Sequence, residues 1–236
     1  MSKQKIKIDI VSDINCPWCY IGEQRLHKAI AAAEDKYEFE ISFKPFELNS
    51  SIPQEGVDRL EYFKNSYGPS IINQLDAINQ RLSDAGAEEN ILFNFDNLTR
   101  VNNTFNGHRL IWLAGTYGVQ EKVANALFYS YFTDAKNMND TALLTEIGIA
   151  NGIPAEKLEG FFEGNEGASE VRELEQWAHA AGITGVPAFV INEKYLVSGA
   201  QPAETFLNVF SEVAPQAPKF EEVTSQGNSC GIEGDC

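Results

Sequence analysis

Two cysteines separated by a proline and a tryptophan, Cys16-Pro17-Trp18-Cys19, have the residue types and spacing for thiol–disulfide exchange. An apolar, alternating stretch (Ile6, Ile8, Ile10) leads into them and a helix-like stretch follows. If the motif opens that helix, Cys16 lies at its N-terminal end. Unpaired backbone N–H groups and the positive end of the helix dipole then favour a thiolate. The thiolate, not the thiol, is the nucleophile in disulfide exchange. Cys19, one helical turn on, is placed to attack a mixed disulfide at Cys16 and release the partner. On this reading Cys16 is the exposed sulfur and Cys19 the shielded one. Pro17 suits the first helical position, where its missing N–H costs nothing. The competing readings are half of a zinc site and a pair of buried structural cysteines. Strand–CxxC–helix context favours the redox reading.

Other chemistry-bearing residues surround this motif. Asp13, three residues before Cys16, is a candidate proton acceptor for Cys19 or a cap for the helix. Lys44, on the next strand, is a candidate partner for Asp13, against the alternative of a solvated lysine. His27 and His179 fall inside helical stretches and read as surface or packing residues. Cys230 and Cys236, with glycines between them, close the chain. A loop so short is easily closed as a disulfide. These two are a possible second redox pair; a zinc site built from all four cysteines and two idle thiols are the alternatives.

The elements that must position these groups follow from periodicity. Lys5–Val11 and Glu38–Phe46 alternate like strands, and Ile21–Ala33 reads as a helix with Leu26 and Ile30 on its buried side. Pro53 and Gly56 break the pattern. The stretch from Val57 to about Ala181 is helical in character: Val57–Tyr67, Ser70–Ala85, Thr104–Tyr117, Gln120–Thr133, Thr141–Asn151, Pro154–Glu163 and Ala168–Ala181. Gly118, Asn139, Gly152, Gly164 and Gly182 punctuate it. Ala188–Ile191 and Tyr195–Ser198 read as a hairpin turned at Asn192-Glu193, and Pro202–Val213 as a last helix. Past Pro215 the chain is poor in aliphatics and reads as a mobile tail. Two strands around a CxxC-initiated helix, a helical block, a hairpin and a helix make an α/β chain. The order is a thioredoxin-like sheet with a large all-helical insertion. The expected division is 1–52 and 183–214 for the two halves of the sheet domain, 53–182 for the insertion and 215–236 for the tail.

Composition narrows the function. Of 236 residues, 34 are acidic and 18 basic, a net charge of −16, which argues against nucleic-acid partners. No apolar run approaches the ~20 residues of a membrane span. The basic N-terminus leads into Ile8-Asp9-Ile10 and not into a signal-type apolar core, so a cytoplasmic location is expected. There a Cys pair is more often catalytic or metal-binding than structural. The sequons at Asn97, Asn102 and Asn139 then carry no meaning.

Four separated blocks make a more specific pattern: Ser12-Asp13-Ile14-Asn15-Cys16-Pro17-Trp18-Cys19-Tyr20-Ile21-Gly22, Lys44-Pro45-Phe46-Glu47-Leu48-Asn49, Gly185-Val186-Pro187-Ala188-Phe189 and Ser198-Gly199-Ala200-Gln201-Pro202. Over about residues 5–213 the chain resembles DsbA-like thiol oxidoreductases, best the FrnE-like branch, related to 2-hydroxychromene-2-carboxylate isomerases. The resemblance implies a catalytic trio of Cys16, Cys19 and Pro187, the last in a cis bond facing the cysteines. It implies that Val186 pairs its backbone with an extended substrate. Trp18 becomes part of the partner-binding surface, with simple packing the alternative. Strongly oxidising relatives carry histidine at that position, so an uncharged Trp18 implies a less oxidising pair. Asn103, Asn106 and His108 resemble the family's Asn/His-bearing helix, implying a role in the substrate groove, against helix capping by Asn103 or Thr104. Partners are expected to be protein or small-molecule thiols and disulfides, with no organic cofactor and no metal. The runner-up, a glutathione-dependent isomerase or transferase, is disfavoured because such relatives usually have serine at the Cys16 position. A non-enzymatic zinc-binding or redox-sensing module is the third reading.

Overall fold

A computed structural model describes residues 3–213. Cys230 and Cys236, and with them the expected second redox pair, lie outside the described residues. The first strand, β1 (Gln4–Ser12), runs parallel to β2 (Tyr37–Pro45), in register from Gln4 opposite Tyr37 to Ser12 opposite Pro45. The helix between them, α1, spans Pro17–Ala31. Strand β1 also pairs antiparallel with a late strand, Ala188–Ile191, which turns back into Tyr195–Ser198. Between the two early and the two late strands lie the short strand β3 (Val57–Asp58), α2 (Arg59–Tyr67), α3 (Ile72–Ala87), β4 (Arg100–Val101), α4 (Phe105–Thr116), α5 (Gln120–Phe132), α6 (Thr141–Ala150), α7 (Ala155–Leu158) and α8 (Ala168–Ala180). The late strands are then β5 and β6, and α9 (Ala203–Val213) closes the described chain. The sheet order is β2-β1-β5-β6.

Alternation on β1 decides the layers. Ile6, Ile8 and Ile10 are all within 1% of fully buried and share a core with Leu26 and Ala29 of α1 and Phe206 and Phe210 of α9. The opposite face presents Val11, which packs with Phe46, Ala188, Ile183 and Ala178 of α8. The hairpin turn has positive φ at both Asn192 (50°) and Glu193 (57°), the signature of a type I′ turn. Asn192 also holds the turn to the centre of the sheet, its side-chain oxygen accepting from Lys7 N at 2.9 Å.

The central block departs from the expected all-helical insertion in two places. Val57 and Asp58 pair with Val101 and Arg100 in a small two-stranded sheet. Helix α7 stops at Leu158, far short of Glu163. Glu159 is extended (ψ 114°) and Gly160 takes φ 69°, which drops Phe161 into the core. Nor is the block a separate core. Tyr20 of α1 stacks on Phe128 of α5, with ring centroids 5.3 Å apart and planes at 5°. Phe93 meets Tyr20 edge-on at 6.3 Å. Burying rings such as Phe128 and Phe132 stabilises by roughly 1.5–3 kcal/mol each, so the block and the cysteine helix are held as one body.

Candidate active site

Cys16 occupies the N-cap of α1 with extended backbone (φ −95°, ψ 109°), and Pro17 begins the helix. Among the described residues no side chain caps this end. Cys19 N donates to Cys16 O at 3.0 Å, which closes the first turn. Both thiols are free. Cys16 is only 5% exposed, a correction to the expected exposed sulfur, because a loop leans over it. The Cys16 thiol donates to Val186 O at 3.7 Å. Cys19 is shielded, as expected, at 2% exposure. Burial pushes its thiol pKa well above the ordinary value, and contact with the Cys16 sulfur adds to this. The Asp13 backbone and the Ser12 hydroxyl pull modestly the other way.

The Val186–Pro187 peptide is cis, as the resemblance implied. Gly199 N donates to Pro187 O at 2.8 Å and fixes the loop to the end of β6. Gly22 lets the loop approach α1. A Cβ there would lie 3.1 Å from Pro187 Cγ, 3.2 Å from Phe189 Cζ and 3.3 Å from Ala200 Cα. Any larger side chain would therefore need Pro187, Phe189 and Ala200 to give way, next to the carbonyl that faces Cys16.

Asp13 is 1% exposed and does not cap α1. Its Oδ2 accepts from Leu48 N at 2.7 Å and its Oδ1 from Asn15 N at 3.2 Å. The carboxylate thus ties the loop after β2 to the cysteine loop. Lys44 does not pair with it. Its Nζ lies 3.2 Å from Asp9 Oδ1, beside the Trp177 ring. Lys44 stands opposite Val11, so Asp9 and Asp13 are both diagonal candidates on its face. The strand ends at Ser12 and Asp13 turns to the Leu48 amide, which leaves Asp9. His108 is buried, and its Nε2 lies 3.7 Å from Asp13 Oδ1 with no hydrogen-bond partner among the described residues. It lines a small space with Ser12 and Lys44 and is not among the residues that line the cavity beside Cys16, a placement that lends the groove reading no support. Asn106 is likewise structural, accepting from Arg109 Nη1 at 2.9 Å. Asn103 accepts from Phe105 N at 3.1 Å at the start of α4, the capping alternative.

Cys16 opens into a cavity of about 350 Å³, walled by Pro17, Trp18, the Leu48–Asn49 loop and helices α2 and α3. Trp18 both lines this cavity and packs against the core. Two features went unread in the sequence. Arg59 lines the same cavity, although in sequence it looks like any helix charge. An asparagine network sets the cysteine loop on the helical block. Asn15 Nδ2 donates to Asn102 O at 2.7 Å, and Asn102 Oδ1 accepts from Asn139 Nδ2 at 3.0 Å. Two of the dismissed sequons are therefore structural asparagines. Among the described residues, no cluster of His, Cys, Asp and Glu is arranged to hold a metal, and no helix is long and apolar enough to cross a membrane.

A family model described as a DSBA-like thioredoxin domain matches residues 7–211. The fold is similar to that of a probable DsbA oxidoreductase from Streptomyces coelicolor, 32% identical, covering 97% of each chain at a TM-score of 0.82. It is also similar to the cytosolic disulfide reductase DsbM of Pseudomonas aeruginosa, solved with GSH, 14% identical, covering 88% of this chain and all of that one at 0.62. A 2-hydroxychromene-2-carboxylate isomerase shares the fold at 19% identity, covering 87% of this chain and 95% of that one at 0.58.

Proposed function

Because the chain belongs to the DsbA-like thioredoxin-domain family and is a thiol oxidoreductase, we propose that it exchanges disulfides of proteins or small molecules through Cys16 and Cys19. The observation that carries this reading is the asymmetry of the two sulfurs. Cys16 opens into the large cavity, and Cys19 is sealed behind it with a raised pKa.

The sequence of steps follows from that asymmetry. The Cys16 thiolate attacks a substrate disulfide; the S–S bond breaks, one substrate thiolate leaves, and a mixed disulfide forms at Cys16. Part of what raises the Cys19 pKa is the Cys16 sulfur itself. Once that sulfur is in a mixed disulfide its charge is gone, so Cys19 releases its proton more readily when it is needed. Cys19 then attacks Cys16, the second thiolate leaves, and the protein disulfide closes. Two electrons have passed from the dithiol to the substrate, and the two thiol protons end on the released thiolates. The reverse sequence oxidises a dithiol.

Substrate backbone is held beside Val186, whose N–H donates to no protein acceptor among the described residues. That leaves a donor for an added strand. Trp18 in place of a positively charged residue favours a reducing or isomerising pair within the FrnE-like branch, working in the cytoplasm. Turnover of a protein disulfide by the reduced chain, with the Cys16–Cys19 potential measured alongside, tests this. A potential near that of a strong oxidant overturns the direction assigned here, since ~30 mV is worth ~1.4 kcal/mol.

A further inference from the structure

The cavity beside Cys16 holds a charge that the exchange chemistry does not use. Arg59, the first residue of α2, is 9% exposed and shares the cavity wall with Cys16. Its guanidinium lies over the rings of Phe63 and Phe95, 5.1 and 5.5 Å from their centroids. Its side chain makes one hydrogen bond among the described residues, from Nη2 to Asn79 Oδ1 at 2.9 Å. A guanidinium carries several N–H donors in a fork matched to a carboxylate. Here no carboxylate of the described chain meets it, although burial disfavours its charge. A buried cation without a counter-ion is costly unless something completes it. The remaining walls are mainly apolar and aromatic, including Tyr62, Leu75 and Ile78, with the neutral amides of Asn15, Asn49 and Asn79 among them, and the volume suits a small molecule.

We propose that this cavity binds small organic disulfides and thiols that carry a carboxylate on an aromatic or branched apolar body. The carboxylate pairs with Arg59 while the sulfur reaches Cys16. The inference rests on Cys16 being the nucleophile and names the substrate class of that same site. The net charge of −16 repels anions at long range, so preference for a carboxylate has to come from a local cation. The step is the exchange already described: Cys16 displaces one aryl thiolate, Cys19 displaces the second, and the ligand disulfide is reduced by two electrons.

Two aromatic disulfides separate the charge from the ring: 5,5′-dithiobis(2-nitrobenzoate), which carries a carboxylate on each ring, and uncharged 4,4′-dithiodipyridine. Stopped-flow absorbance gives the rate of each with the reduced full-length chain. Measured in about 1 M salt, where long-range fields are screened within ~3 Å, only close pairing survives. Arg59→Met is expected to slow the dicarboxylate about 10- to 100-fold, the scale of a lost charged hydrogen bond, and to leave the neutral disulfide within about twofold. Arg59→Lys should retain part of the preference. Equal effects on both disulfides, or no effect on either, overturn the site. If Arg59→Met fails to fold, Ile78→Glu at the 40% exposed rim decides at low salt. It should lower the dicarboxylate rate relative to the neutral one, and an unmoved ratio overturns the proposal. If neither disulfide reacts at Cys16 in the unaltered chain, the exchange chemistry itself fails, and this site with it.

Discussion

Replacing Asp13 with asparagine separates two roles for that residue. The buried carboxylate accepts backbone N–H groups from Leu48 (2.7 Å) and Asn15 (3.2 Å) and lies 3.7 Å from His108 Nε2. Hydrogen bonds to a charged group contribute about 1.5–3 kcal/mol, and an orphaned buried donor costs about 1–3 kcal/mol. Asn keeps one acceptor oxygen, so one of the two amides loses its partner and faces an NH₂ group instead. The expected loss is about 2–4 kcal/mol. At about 2–4 °C per kcal/mol for a chain of this size, the melting temperature falls by roughly 4–16 °C. Because the Leu48–Asn49 loop walls the cavity at Cys16, attack on a substrate disulfide should slow. Resolution by Cys19 should slow no more than attack does, since both carboxylate oxygens of Asp13 are engaged by the Leu48 and Asn15 amides. Thermal denaturation with quenched-flow separation of the two steps checks this. A melting temperature within about 1 °C, together with resolution slowed by the 10²–10⁴-fold of a lost general base, would refute the positioning role.

Three further expectations are quicker to check. Gly22→Val should lower stability by about 1–3 kcal/mol through overpacking against Pro187 and Phe189, and should slow exchange at Cys16; unchanged exchange would show that the loop tolerates displacement. The buried Glu23 lies 3.6 Å from His27. Burial opposes the charge of His27, but Glu23 and Glu121 outweigh it and raise its folded pKa, so its stabilisation is complete below about 6.5 and lost as pH rises through the folded value. Glu23 has a folded pKa raised by burial and adds loss in the same direction, so the melting temperature should fall from pH 5.5 to 8.5, and Glu23→Gln should flatten that slope. An equally steep slope in the variant would exclude this pair as its cause. Trp18→His should raise the reduction potential, because an imidazolium favours the reduced thiolate; an unchanged or lower potential would show that the potential is set elsewhere.

What was legible in the sequence was what is local along the chain. The strand, the N-cap cysteine, Pro17 at the first helical position and the Asn192-Glu193 turn each depend on neighbours a few residues apart. What escaped depended on approach between distant segments. Lys44 faces a choice between Asp9 and Asp13 that only the end of β1 decides. Arg59 sits in a helix with charges and aromatics interspersed, where its burial between Phe63 and Phe95 leaves no periodic mark. Asn102 and Asn139 come together over 37 positions of chain. His108 is buried with its Nε2 3.7 Å from Asp13 Oδ1, a contact across 95 positions of chain.

Trapping distinguishes Cys16 as the attacking sulfur from Cys19 as the resolving one. Reduced Cys19→Ser and Cys16→Ser chains are incubated with a protein disulfide, quenched with acid and mapped by peptide mass spectrometry. Cys19→Ser should accumulate a mixed disulfide on Cys16, because the resolving thiol is gone while the sulfur that opens into the cavity remains. Cys16→Ser should accumulate none and should lose turnover, its remaining thiol being sealed at 2% exposure with a raised pKa. A mixed disulfide on Cys19 in Cys16→Ser, with turnover intact, would reverse the two assignments.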